Sequence, residues 1–130
     1  ENHLEQVFKE HKISYSRGTE TENKAKPDFI FPSISEYHNS KFQADRLSML
    51  GVKSTCKDRW RQVLSEAARI REKHLLTLEP GISENQTSEM QANSLQLVVP
   101  AELHLSYRPA QQKWLWNMRD FLQMVKTRQA

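Results

Sequence analysis

One cysteine, Cys56, is the only thiol in this 130-residue chain. It excludes an intrachain disulfide and any zinc site built from several cysteines, so a reducing compartment, the cytoplasm, is expected. Three glycines in the whole sequence cannot build a glycine-rich phosphate loop. No stretch approaches the roughly 18 consecutive apolar residues of a membrane span. The first residues also lack the apolar core of a secretory signal, and a soluble protein without a membrane partner is expected. The five histidines, His3, His11, His38, His74 and His104, are scattered and form no H-E-x-x-H pair, which argues against a zinc hydrolase. No serine stands in a nucleophile elbow, which argues against Ser-His-Asp chemistry. Nothing calls for a small-molecule cofactor.

Hydrophobic residues make up 37% of the chain and charged residues 27%, a globular composition with a polar bias. The length suits one domain over residues 1–130 with a single core. The first residue is Glu1, so the chain reads as a fragment or processed piece that lacks upstream elements. Nineteen Lys and Arg face sixteen Asp and Glu, a net charge of +3. That small basic excess permits a phosphate-bearing partner without demanding one.

Leu4, Val7 and Phe8 recur at helical spacing and predict a short amphipathic helix over 3–12. Residues 14–26 are polar and read as a loop. Phe29-Ile30-Phe31, between Pro27 and Pro32, predicts a strand, with residues 33–37 returning as the second strand of a hairpin. Residues 39–46 form a polar connection. Residues 47–55 predict a buried strand. Trp60, Val63, Leu64, Ala67 and Ile70 then predict an amphipathic helix within 57–74. Residues 75–78 predict a third strand, ended by Pro80-Gly81. Ser83 and Gln86 form a capping box for a helix to about Gln91, and residues 95–99 a fourth strand. Pro109 suits the first turn of a last helix carrying Trp114, Leu115, Met118, Phe121, Leu122 and Val125 on one face. Alternating strands and helices imply an α/β fold, a central mixed sheet flanked by helices on both faces.

The candidates for chemistry are Asp28 at the mouth of the first strand, Lys53 near the end of the next, and Glu66 thirteen residues later. Phosphodiester hydrolysis needs carboxylates to hold Mg²⁺ and a cation beside the attacking water. Asp28 and Glu66 supply oxygens, and Lys53 can offset charge developing on the phosphate. By themselves the three residues are indistinguishable from ordinary surface charges. The run Lys57-Asp58-Arg59-Trp60-Arg61 places three cations at an expected helix start, where they oppose the macrodipole. Lys and Arg match guanine O6 and N7, and Asp can accept from cytosine N4. Arg61 suits a phosphate contact. Tyr37 has two readings: an accessory group near the site, or a packing tyrosine. Cys56 reads as a small packing residue.

Pro27-Asp28, then Lys53, then a glutamate thirteen residues on resembles a variant of the PD-(D/E)xK nuclease motif. In that variant the second acid has moved from the lysine strand to the following helix; Gly51 stands where the usual acid would be. The segments KPDFIFPS (26–33), KSTCKDRWRQVLSEA (53–67), KHLLTLE (73–79) and LQLVVP (95–100) resemble the EcoRII/PspGI-like type II restriction endonucleases. The resemblance implies a restriction-endonuclease-like core and Mg²⁺-dependent cleavage of double-stranded DNA at a CCWGG-like site, leaving 5′-phosphate and 3′-hydroxyl ends. It also implies a homodimer, base reading by Lys57, Asp58 and Arg59, and flipping of the central A·T pair. Two other readings stay open: a structure-specific repair or recombination nuclease on the same fold, and a DNA-binding module without activity.

Overall fold

The computed structural model describes residues 2–22, 25–57 and 59–130. Its centre is a five-stranded sheet in the order β1 (Ser16–Arg17), β2 (Phe29–Phe31), β3 (Ser48–Lys53), β4 (Lys73–Thr77), β5 (Leu95–Val98). β1, β2 and β3 pair antiparallel, while β3, β4 and β5 run parallel. The expected mixed sheet is therefore present.

Side-chain alternation along each strand divides the core between two faces. Ile30, Met49, Leu75, Leu95 and Leu97 face one way, and there they meet Tyr37 of α2 (Ile34–His38), Trp60 and Val63 of a 3₁₀ segment (Trp60–Ser65), and Met90 of α3 (Glu84–Ala92). Phe29, Phe31, Leu50, Leu76 and Val98 face the other way, against Phe8 of α1 (Asn2–Glu10) and Phe121, Leu122 and Val125 of a C-terminal helix. Phe8 sits edge-on to both Phe29 and Phe31 at 5.2 Å between ring centroids.

Four local expectations are corrected. The loop at 14–26 contains β1. Residues 33–37 form α2 instead of a hairpin strand, because the Ser33 hydroxyl caps the helix by accepting the Glu36 amide at 3.2 Å. The predicted helix within 57–74 is a single 3₁₀ segment. Trp60 and Val63, three apart, share its buried side, as 3₁₀ geometry requires. It cannot continue as a helix, since Ala67 takes φ +54° and the next amides bond to side chains: Ala67 to Thr21, Ala68 to Glu22 and Arg69 to Tyr37. The predicted last helix is two, α4 (Pro109–Gln112) and α5 (Met118–Gln129). Between them Trp116 joins the sheet edge: its amide reaches Leu97 and its carbonyl accepts from Val99. Asn117 and Asp120 then cap α5 reciprocally.

His74 on β4 is 2% exposed and packs against Trp116 and Phe121. Its Nδ1 has no hydrogen-bond partner among the described residues. Burial, with a smaller contribution from Arg128, holds the imidazole down to about 3. The folded state keeps His74 neutral, whereas an unfolded chain protonates it near its ordinary value of about 6.5. Its contribution is therefore complete above about pH 6.5 and is lost as pH falls toward 3, at most about 1.4 kcal/mol per pH unit. His74→Phe should flatten this acid limb, as urea melts at pH 4, 5 and 7 will show; an unchanged limb removes His74 from acid unfolding.

Candidate nuclease site

β2 runs antiparallel to β3, so the residue that enters β2 lies beside the end of β3. The ladder pairs Phe29 with Leu50. One step beyond it, an Asp28 carboxylate oxygen accepts the Val52 amide at 2.7 Å, which fixes that carboxylate next to Lys53. The Asp28 carbonyl accepts the Gly18 amide at 3.0 Å. Lys53 ends β3, half-buried, and alternation puts it on the same face as Met49 and Gly51.

Glu66 reaches this face from the 3₁₀ segment. It caps the segment's end in an extended conformation (φ −88°, ψ 143°) while its amide still bonds to Val63. Burial raises the pKa of the Glu66 carboxyl; the Lys53 charge lowers it, the Asp28 charge raises it, and Lys73 lowers it slightly. Asp28 and Lys53, far from Glu66 in sequence, thus both act on its carboxyl at one end of the sheet. Gly51 explains why the second acid arrives this way. A Cβ at residue 51 would stand 3.3 Å from Leu75 Cδ1, a tight approach in a packed interior, and in ordinary contact with Val63 Cγ2 at 3.5 Å. Leu75 of β4 and Val63 of the 3₁₀ segment thus cover position 51 closely.

Glu66 is followed by a turn clamped from several sides. Thr21, Glu22 and Tyr37 accept the amides of Ala67, Ala68 and Arg69 at 3.2, 3.1 and 3.2 Å. The Lys73 ammonium, 6% exposed, donates to the carbonyls of Ala67 and Ile70. Arg69 donates to the carbonyls of Tyr37, Asn39 and Phe42. The charges around Glu22 and Lys73 balance: burial alone would raise Glu22, but bonds from Tyr37 and from backbone amides bring it below its ordinary value. Burial lowers Lys73, against the pull of Glu22 and Glu66. Thr21 and Glu22 lie in a polar stretch without periodicity and carry no signal. A lysine at the start of an apolar strand was a signal. Tyr37 is buried, with its hydroxyl against Glu22 and burial pushing it up to about 12; it belongs to the clamp.

Lys57 and Arg59 are exposed on the turn before the 3₁₀ segment, where the sequence reading had placed a helix start. Asp58 lies outside the described residues. Arg61 stacks on the Trp60 ring at 4.4 Å and pairs with Glu89, while the Trp60 indole donates to Gln86 at 2.8 Å. Cys56 is buried, and burial pushes its thiol up to about 11, which fits a packing role.

Among the described residues no group of three or more His, Cys, Asp or Glu forms a metal cage. Magnesium does not require one, since it is commonly held by one or two carboxylates with water and phosphate completing the shell. A Glu66 carboxyl whose ionisation Asp28 disfavours, beside a lysine, makes with Asp28 a fitting donor set for such an ion.

The family model described as EcoRII C terminal matches residues 1–122. The chain is 45% identical over 123 residues to the type II restriction enzyme EcoRII of Escherichia coli, covering 94% of this chain and 30% of that protein. Among solved structures it is similar to metal-depleted Ecl18kI in complex with uncleaved, modified DNA, at TM-score 0.80 and 21% identity. A metal-depleted Ecl18kI complex with uncleaved DNA gives TM-score 0.78 and 23% identity. Each alignment covers 96% of this chain and 42% of that one; at these identities the likeness shows a shared fold. The chain thus spans less than half the length of each of these relatives.

Proposed function

Since this chain belongs to the EcoRII C-terminal family and has a restriction-endonuclease-like fold, we propose that it is the catalytic part of a type II restriction endonuclease. In this reading it hydrolyses double-stranded DNA with Mg²⁺ at a CCWGG-like site, as a cytoplasmic homodimer, leaving 5′-phosphate and 3′-hydroxyl ends. The observation that carries the proposal is the convergence of Asp28, Lys53 and Glu66 at one end of β3, beside the exposed Lys57 and Arg59.

Asp28 and Glu66 would hold the metal, which when bound supplies Lewis-acid polarisation of the scissile phosphate. Lys53 orients the attacking water and places an ammonium where negative charge grows on the phosphate oxygens. The Val52 amide keeps Asp28 from rotating away, and the turn clamped by Thr21, Glu22, Tyr37 and Lys73 does the same for Glu66. Lys57, Asp58 and Arg59 read base edges in the major groove, and flipping of the central A·T pair accompanies binding. Arg61 contributes a phosphate contact only after leaving Glu89.

Plasmid digestion with Mg²⁺, followed by sequencing of the cut ends, tests this reading. Cuts at one recurring sequence, with 5′-phosphate ends and none in EDTA, are expected. Cuts at branched or nicked structures without sequence preference would assign the fold to structure-specific cleavage instead.

Arg59→Ala separates the same alternatives at the level of binding. A bidentate guanine contact is worth roughly 1–3 kcal/mol of discrimination, so this variant should lose most of its preference for the C·G-rich site over scrambled duplex. Salt-sensitive binding through phosphates should persist. Equal weakening on both duplexes, with the salt slope lower by about one, would make Arg59 a backbone anchor.

A further inference from the structure

The loop between Lys53 and Trp60 is exposed for most of its length, yet its backbone is held at four consecutive residues. The Thr77 hydroxyl donates to the Ser54 carbonyl at 3.1 Å. The Arg59 guanidinium donates to the Thr55 carbonyl at 3.0 Å. The Cys56 carbonyl accepts the amides of Arg59 and Trp60 at 3.0 and 2.9 Å. Finally, the amides of Cys56 and Lys57 converge on one carboxylate oxygen of Glu79, at 2.9 and 3.1 Å.

Glu79 lies just beyond β4 and is itself fixed. Its amide donates to Thr77 Oγ1 at 3.2 Å, and its carbonyl accepts the Tyr107 hydroxyl. A carboxylate at the Lys57 backbone would weaken binding of a polyanion if it merely sat there. Two backbone amides aimed at one of its oxygens give it a different use: a single acceptor ties both residues to the end of β4.

We propose that Glu79 is a specificity-positioning residue: by accepting the Cys56 and Lys57 amides together, it sets where Lys57 and Arg59 stand relative to Lys53. The same loop then carries the base contacts at one end and the lysine of the cleavage site at the other, and β4 holds both in register through Thr77 and Glu79. The inference rests on the reading of Lys57 and Arg59 as base contacts.

The test is competition binding of the chain to a CCWGG duplex and a scrambled duplex without divalent metal, at two salt concentrations, for Glu79→Leu and Glu79→Gln. Glu79→Gln keeps a carbonyl oxygen for the two amides and loses the charge. Glu79→Leu keeps neither. For Glu79→Leu the ratio of specific to scrambled affinity is expected to fall about tenfold or more, with binding to the scrambled duplex retained. Glu79→Gln is expected to keep the ratio. A Glu79→Leu ratio within twofold of the unmodified chain overturns the proposal. So does a Glu79→Gln ratio as low as that of Glu79→Leu, because the carboxylate would then act by its charge or by touching DNA itself. Amide hydrogen exchange decides if Glu79→Leu fails to fold: protection of Cys56 and Lys57 in the unmodified chain and in Glu79→Gln supports the anchor, and exchange as fast as in an unstructured peptide overturns it. Lys57→Ala and Arg59→Ala on the same duplexes separate the two ideas. If they too leave the ratio intact, the base-contact reading fails; if they lower it while Glu79→Leu does not, only the anchor fails.

Discussion

Lys53→Ala should cut DNA about 10²-fold or more slowly than the unmodified chain while still binding the specific duplex. The lysine closes β3, where its charge and that of Asp28 both act on the Glu66 carboxyl, and without its ammonium the growing charge on the phosphate meets two acids and no protein cation from this strand. Losing an interaction that strengthens only in the transition state lowers the rate without lowering ground-state affinity. The DNA contacts proposed for Lys57 and Arg59 lie several residues further on, in a loop whose backbone is anchored independently through Thr77 and Glu79. Single-turnover cleavage, measured beside metal-free binding, separates the two effects. A near-normal rate for Lys53→Ala removes this lysine from the mechanism.

Glu66→Gln and Asp28→Asn should each suppress cleavage by a comparable factor, about 10²-fold, with partial recovery as Mg²⁺ is raised. Both substitutions keep side-chain size and remove charge, so packing is preserved and the loss falls on the metal site. Asp28→Asn also weakens the charge-assisted bond from the Val52 amide. Restoring an acid at position 51 in the Glu66→Gln background should not rescue cleavage, because a side chain there meets Leu75 and Val63. Normal cleavage by Glu66→Gln across the whole Mg²⁺ range would show that the second carboxylate comes from another residue.

The strands were legible because FIF, LSMLGVK and LQLVV are short apolar runs, and runs without polar alternation predict strands covered on both faces. The buried set Trp60, Val63, Ala67 and Ile70 was equally legible, but not its backbone. Spacings of three and four fit an α-helix and also a 3₁₀ turn followed by a break, and the break was decided by Thr21, Glu22 and Tyr37, distant residues that take the amides a helix would use. The capping pair Ser33 and Glu36 could have identified α2, and Asn117 with Asp120 could have divided the last helix. At the site, the resemblance to the nuclease motif, more than the spacing alone, pointed to Asp28, Lys53 and Glu66, and in the fold Lys53 and Asp28 both act on the Glu66 carboxyl. Glu79 was not legible as a functional group, since it acts through backbone amides that sequence does not display; Lys73 stood out only as a lysine opening an apolar strand.

The central claim, that Asp28 and Glu66 form one metal-binding pair beside Lys53, is tested most directly by binding of Mn²⁺, an oxygen-seeking stand-in for Mg²⁺, followed by electron paramagnetic resonance without DNA. The unmodified chain is predicted to bind at a saturable site. Asp28→Asn and Glu66→Gln should each weaken that site about tenfold or more, and Lys53→Met should tighten it by removing a neighbouring positive charge. Mn²⁺ binding by Glu66→Gln as tight as in the unmodified chain would contradict the account.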